Sequence, residues 1–114
     1  MSISVAIVGA GRMGKTHASA LAGIGDVRIA GVADVRLDAA ASLAETVGAK
    51  PFNDYREMLT QLQPDAVYLC TPASDHLEQV TFAAEAGINI FVEKPISANV
   101  GDALAIADAV ERAG

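Results

Sequence analysis

Cysteine is nearly missing from this sequence: Cys70 stands alone among 114 residues. A single thiol excludes an intramolecular disulfide framework and a cysteine-built zinc site. Basic residues are scarce too, eight against fourteen acidic ones, for a net charge of −6. That balance argues against a nucleic-acid backbone or an anionic membrane as a general partner. It leaves a phosphate ligand open, because backbone N–H groups hold phosphate without net positive charge. No apolar run approaches the ~20 residues that span a bilayer. Met1 to Val8 is apolar but lacks a basic leader and runs into glycines rather than a cleavage site. No low-complexity tract, linker or solenoid repeat interrupts the chain. These absences predict a soluble, cytoplasmic protein. What is present is the length of one domain, 52% apolar, enough for a packed core.

Ile3 to Val8 is a continuous run rich in β-branched residues, which suits a strand buried on both faces. Beyond the glycines, Met13, His17, Leu21 and Ile24 recur at three- and four-residue spacing. They predict a helix that lays this stripe on the sheet, with Gly23 and Gly25 as its stop. Val27 to Ala33 reads as a second strand, and Leu37 to Val47 as a second helix ended by Gly48. Ala49 to Phe52 is a candidate brief third strand. A helix follows from about Tyr55 to Gln63; Asp54 and Glu57 have capping-box spacing, and Pro64 closes the segment. Ala66 to Cys70 is the fourth strand. The fourth helix runs from about Asp75 to Ala86, with Leu77, Val80 and Ala84 on one side and Gly87 as its stop. Ile88 to Val92 is a fifth strand, and Val100, Ala103, Leu104, Ala107 and Val110 define a last helix.

Strand and helix thus alternate five times with short connections. The pattern predicts an α/β fold, a doubly wound parallel sheet in the order 3-2-1-4-5 with helices on both faces. Its switch point lies between strands one and four. The sequence stops at Ala113-Gly114, where a sixth strand is expected. The expectation is therefore one dinucleotide-binding Rossmann domain over residues 1–114 of a longer parent.

Gly9-Ala10-Gly11-Arg12-Met13-Gly14 matches G-x-G-x-x-G between the first strand and the first helix. Gly9 permits the tight turn, Gly11 has no Cβ to obstruct a pyrophosphate, and Gly14 lets helix and strand pack closely. The phosphates would meet free N–H groups at the positive end of the helix. Asp34 ends the second strand, 20 residues after Gly14. A carboxylate there accepts from both adenosine ribose hydroxyls and repels a 2′-phosphate, which favours NAD. Arg12 and Arg36 keep NADP open, since either can meet a 2′-phosphate; as surface charges they would do neither. Thr71-Pro72 follows strand four and Glu93-Lys94-Pro95 follows strand five, so both fall on the edge where ligands of open parallel sheets sit. No metal ligand set is read from the sequence.

The glycine turn with His17 after it, Thr71-Pro72 with His76, and above all Glu93-Lys94-Pro95 resemble the N-terminal NAD(P)-binding domain of the Gfo/Idh/MocA oxidoreductases. The resemblance covers essentially the whole chain. It implies hydride transfer between a nicotinamide and a sugar, polyol or related alcohol. It also implies that Lys94 lies beside the nicotinamide, where a cation stabilises developing alkoxide charge or relays a proton. Pro95 fixes the turn, and Glu93 orients Lys94 or caps the local backbone. His17 is expected to pack on the sheet rather than react, whereas His76 is a candidate contact at the cofactor edge. Cys70 is expected to be a small core residue.

In the resembling family a C-terminal domain supplies most of the sugar pocket, and nothing in these residues corresponds to it. The chain alone is therefore expected to bind NAD, to reach a sugar or polyol only with that domain, and to catalyse little hydride transfer. Apolar surface near strand five and the last helix predicts self-association into a homo-oligomer. Two other functions remain open. One is the cofactor domain of another reductase, such as a dihydrodipicolinate-reductase-like protein, against which the E-K-P loop speaks. The other is a non-catalytic nucleotide-sensing or interaction module, which has no chemical need for Lys94.

Overall fold

The computed structural model describes residues 3–72 and 75–92. Along the chain run β1 (Ile3–Val8), α1 (Arg12–Ala22), β2 (Val27–Ala33), α2 (Leu37–Val47), β3 (Lys50–Phe52), α3 (Tyr55–Leu62), β4 (Ala66–Leu69), α4 (His76–Glu85) and β5 (Asn89–Val92). Every strand pair is parallel, and the strands lie in the order β3-β2-β1-β4-β5. This is the doubly wound order expected from the sequence. The expected helix from Val100 to Val110 lies outside the described residues.

The continuous apolar run of β1 has a direct cause. Ala6 and Val8 enter one core with Met58, Leu59, Val80 and Ala83, beneath α3 and α4. Val5 and Ile7 enter the other with Ala18, Leu21, Ala40 and Leu43, beneath α1 and α2. Alternate side chains of a central parallel strand thus serve opposite layers, and from Val5 to Val8 no position is left for a polar residue; Ser4 precedes this stretch and is only half-buried. Burying each large side chain contributes roughly 1.5–3 kcal/mol. Among the described residues, no helix is long and apolar enough to cross a membrane.

α1 corrects one expectation. Its buried line is Gly14, Ala18 and Leu21; Met13 is 38% exposed, and Ile24 lies past the helix end at 50%. The stripe is rotated because the helix must come close to the sheet, and only small residues fit there. A Cβ on Gly14 would fall onto the Gly9 carbonyl. The end of α2 formed as the sequence implies, and the start of α3 did so in part. Gly48 caps α2 in the left-handed conformation at φ 72°. The Asp54 side chain caps α3 by accepting from the Arg56 N–H at 2.9 Å, but the expected capping box is only half formed among the described residues, because Glu57 accepts from Gln61 instead. β4 ends at Leu69 rather than Cys70, and the first residue of α4 is His76 rather than Asp75.

Candidate functional site

The loops after β1, β2, β3 and β4 open at the same edge of the sheet, because the strands are parallel. They enclose a cleft of about 750 Å³, within the range of small-molecule sites. Gly9, Gly11, Asp34, Thr71 and Pro72, all singled out in the sequence, line it together.

The glycine turn is built by backbone constraint. Gly9 has φ 102°, and a Cβ there would lie 2.5 Å from the Cys70 carbonyl oxygen, so the β1 and β4 loops touch at this point. Its N–H donates to the Ala33 carbonyl at 2.7 Å. Gly11, in contrast, has nothing within 4 Å of where its Cβ would be. It stands at the N-cap of α1, and no side chain caps that end. Backbone N–H groups of the first turn are therefore available to an anion, with the positive end of the helix behind them. A pyrophosphate fits this cradle: open space in front, uncapped donors behind, no side chain in the way.

Asp34 joins the β2 end to the glycine turn. Its Oδ2 accepts from the Ala10 N–H at 2.8 Å, and its Oδ1 accepts from the Arg36 N–H at 2.9 Å. Ala10 is buried, so the carboxylate both faces the cleft and pins the loop. Arg36 points away: its Nη2 lies 3.4 Å from Asp38 Oδ2, and both side chains are exposed. Arg12 and Met13 sit exposed on the first turn of α1, and neither they nor Arg36 line the cleft.

The two histidines part company. His17 packs its ring against both Tyr68 and Phe91, which stack on each other, with centroids 5.5 and 5.3 Å away; this agrees with the packing expected of it. His76 is buried and its Nε2 lies 2.8 Å from the Thr71 carbonyl oxygen. It underpins the Thr71-Pro72 turn from inside rather than forming the cleft wall. Cys70 follows β4 and lines the cleft, half-buried rather than in the core. Glu93, Lys94 and Pro95 lie outside the described residues; they follow Val92, which pairs with Leu69 at the ends of β5 and β4.

Sequence reasoning missed much of the cleft wall. Asn53, Asp54, Tyr55 and Arg56 enter it from the β3–α3 junction, Asp75 from the N-cap of α4, and Glu78 and Gln79 from α4 itself. Arg56 forms an ion pair with Glu78, whose Oε1 also accepts from the Tyr55 hydroxyl at 3.1 Å. For Gln79 a signal existed: an amide beside Val80 on the packed side of α4 interrupts an otherwise apolar face. The β3–α3 group carried no motif of its own, although the end of β3 falls on the same sheet edge as the other loops.

Burial holds the Tyr55 phenol above its ordinary 10.0; the Arg56 charge opposes this, and Asp54 and Asp75 add to it. The neutral phenol is thus favoured by folding. Its contribution is complete below pH 10.0 and is lost as pH rises through the folded-state value. With Tyr68→Phe, Tyr55 is the sole tyrosine. Its ultraviolet titration is expected to have a midpoint above 10.0 when folded and to return to 10.0 in denaturant. A folded midpoint at or below 10.0 would contradict the burial seen here.

Comparison with known proteins decides the family. The sequence model of the Gfo/Idh/MocA group, described as an oxidoreductase family with an NAD-binding Rossmann fold, matches residues 3–114. The chain belongs to this family. D-glucoside 3-dehydrogenase of Escherichia coli is 36% identical over 114 residues, covering 98% of this chain and 32% of the relative. The WlbA dehydrogenase of Bordetella pertussis, solved with NADH and UDP-GlcNAcA, superposes with a TM-score of 0.94 at 31% identity. That match covers 100% of this chain and 35% of the other. Scyllo-inositol dehydrogenase of Lactobacillus casei, solved with NAD(H) and scyllo-inositol, gives 0.91 at 28% identity, covering 99% and 34%. The chain spans about a third of the length of these relatives. As a member of the family it carries the NAD-binding Rossmann domain of an oxidoreductase.

Proposed function

We propose that this chain is the cofactor-holding part of a dehydrogenase acting on a secondary alcohol of a sugar or polyol. The observation that carries the proposal is the uncapped N-terminus of α1 behind Gly11, in one cleft with the Asp34 carboxylate. The N–H groups of the first turn hold the pyrophosphate, and Asp34 accepts from the adenosine ribose hydroxyls. The carboxylates of Asp34, Asp54, Asp75 and Glu78 in the cleft, against the Arg56 guanidinium, disfavour a further phosphate and so favour NAD over NADP. NAD(H), when bound, supplies or accepts the hydride. Thr71 and Pro72 shape the cleft on the β4 side, with His76 fixing the turn from below. Glu93, Lys94 and Pro95 follow β5. Lys94 is assigned the cation beside the reacting hydroxyl, oriented by Glu93 and by the turn that Pro95 sets.

The D-glucoside, inositol and UDP-sugar names of the relatives support the alcohol class. Since the chain matches about a third of those proteins, the sugar pocket is assigned to residues beyond the domain described. The domain alone then binds cofactor, self-associates and turns over little polyol, and the cofactor chemistry suits a cytoplasmic location. Calorimetric titration with NADH and with NADPH tests the core of the proposal. NADH is expected to bind, and NADPH more weakly by at least about tenfold. Absence of heat with both, in folded protein, would remove the cofactor role.

A further inference from the structure

Gln79 lies in the first half of α4 and is only 7% exposed, yet it reaches the cleft wall. A carboxamide so deeply placed must satisfy both its carbonyl and its NH2. The carbonyl is accounted for, since Oε1 accepts from the Thr71 hydroxyl at 2.6 Å. That bond orients the group. Among the described residues the Nε2 has no protein partner, and no fully buried side-chain polar atom is left without one. The NH2 therefore opens onto the cleft, as a neutral donor aimed by Thr71.

Most of the other polar side chains on this wall are acceptors or are already engaged. Asp34, Asp54, Asp75 and Glu78 bring carboxylates, Arg56 is paired with Glu78, and the Tyr55 hydroxyl donates to Glu78. The cleft that Gln79 lines is also lined by Asp34 and Val35 after β2 and by Asn53 after β3. Gln79 itself stands on the β4 side of the switch point, and Glu78 beside it binds Tyr55 and Arg56 at the start of α3, which ties this part of α4 to the β3 side of the same cleft.

We propose that Gln79 is a cofactor-binding residue, donating an amide N–H to an acceptor atom of the adenosine half of the dinucleotide. The inference rests on the NAD-binding function proposed above and adds to it a contact that fixes the adenosine end. Thr71 is then a positioning residue, because its hydroxyl acts through Gln79.

Gln79→Glu separates this from a purely structural role. A glutamate still accepts from Thr71 but has no N–H to donate, whereas Gln79→Met loses both functions. Affinity for NADH and for ADP-ribose, which lacks the nicotinamide, is expected to fall about tenfold or more in both variants. In the unsubstituted protein, the side-chain NH2 resonances of Gln79 are expected to shift when ADP-ribose is added. That measurement serves even if a variant folds poorly. Parental affinity in a folded Gln79→Glu protein, or unmoved NH2 resonances at saturation, overturns the contact and leaves a strut beneath Thr71. Loss of NADH binding with ADP-ribose binding intact overturns the assignment to the adenosine half. A parent that binds neither ligand overturns the cofactor function itself, and the inference with it.

Discussion

Gly11→Val is expected to fold almost as stably as the parent and to lose at least about a hundredfold in NADH affinity. The backbone there, at φ −80° and ψ −158°, accepts a β-branched residue, and nothing lies within 4 Å of the added Cβ. The stability cost is that of a poorer N-cap, about 1 kcal/mol or less. The new methyl groups instead occupy the space in front of the uncapped helix end, where the pyrophosphate must approach. Gly14→Ala is the opposite case. Its Cβ meets the Gly9 carbonyl, a backbone atom with no freedom to move aside, so α1 must shift from β1. Overpacking of this kind costs about 2–3 kcal/mol, a fall in melting temperature of roughly 10–20 °C for a domain this small. Thermal melts and NADH titrations of both variants check the pair. Equal loss of stability would mean that Gly11 serves the fold and not the ligand.

The second large effect is expected at Asp34, whose carboxylate carries two tasks. Asp34→Ala removes the acceptor for the ribose hydroxyls and strands the Ala10 N–H, which sits in a residue 2% exposed. An unpaired buried N–H costs about 1–3 kcal/mol, and two charge-assisted ribose bonds lost reduce NADH affinity by about a hundredfold or more. NADPH binding is expected to change less, so the preference narrows without reversing, because the loosened glycine turn harms both cofactors. Asp34→Asn keeps a carbonyl for one partner and should fall between. Calorimetry with both cofactors, together with a denaturant melt, separates the two tasks. Unchanged NADH affinity in Asp34→Ala would take this residue out of the site.

Much of the fold was legible because its rules are local. A parallel central strand must be apolar on both sides where it is buried, and Val5 to Val8 is. Gly48 follows α2 because a left-handed cap favours a residue without Cβ, and Asp54 precedes α3 because its carboxylate caps a free N–H. The α1 stripe was misjudged for a reason that spacing does not contain. Met13 and Leu21 match a helical period as well as Gly14, Ala18 and Leu21 do. The closeness of the helix to the sheet selects the smaller set. The partner of His76 was likewise not legible: it begins α4 beside the cleft, and its Nε2 lies 2.8 Å from the Thr71 carbonyl oxygen, beneath the turn.

The sequence by itself determined the alternation of strand and helix, the parallel sheet, the glycine turn and the carboxylate that ends β2. These follow from side-chain periodicity and from backbone conformations that only certain residues adopt. Tertiary structure alone decided that Asp34 is bonded to Ala10, that Thr71 aims Gln79, and that Tyr55 and Arg56 close the wall with Glu78. The partners in each case are eight to twenty-four residues apart in the chain. The strand order brings Asp34 to Ala10, the packing of α3 beside α4 brings Tyr55 and Arg56 to Glu78, and the β4–α4 turn brings Thr71 to Gln79; no side-chain periodicity encodes those distances.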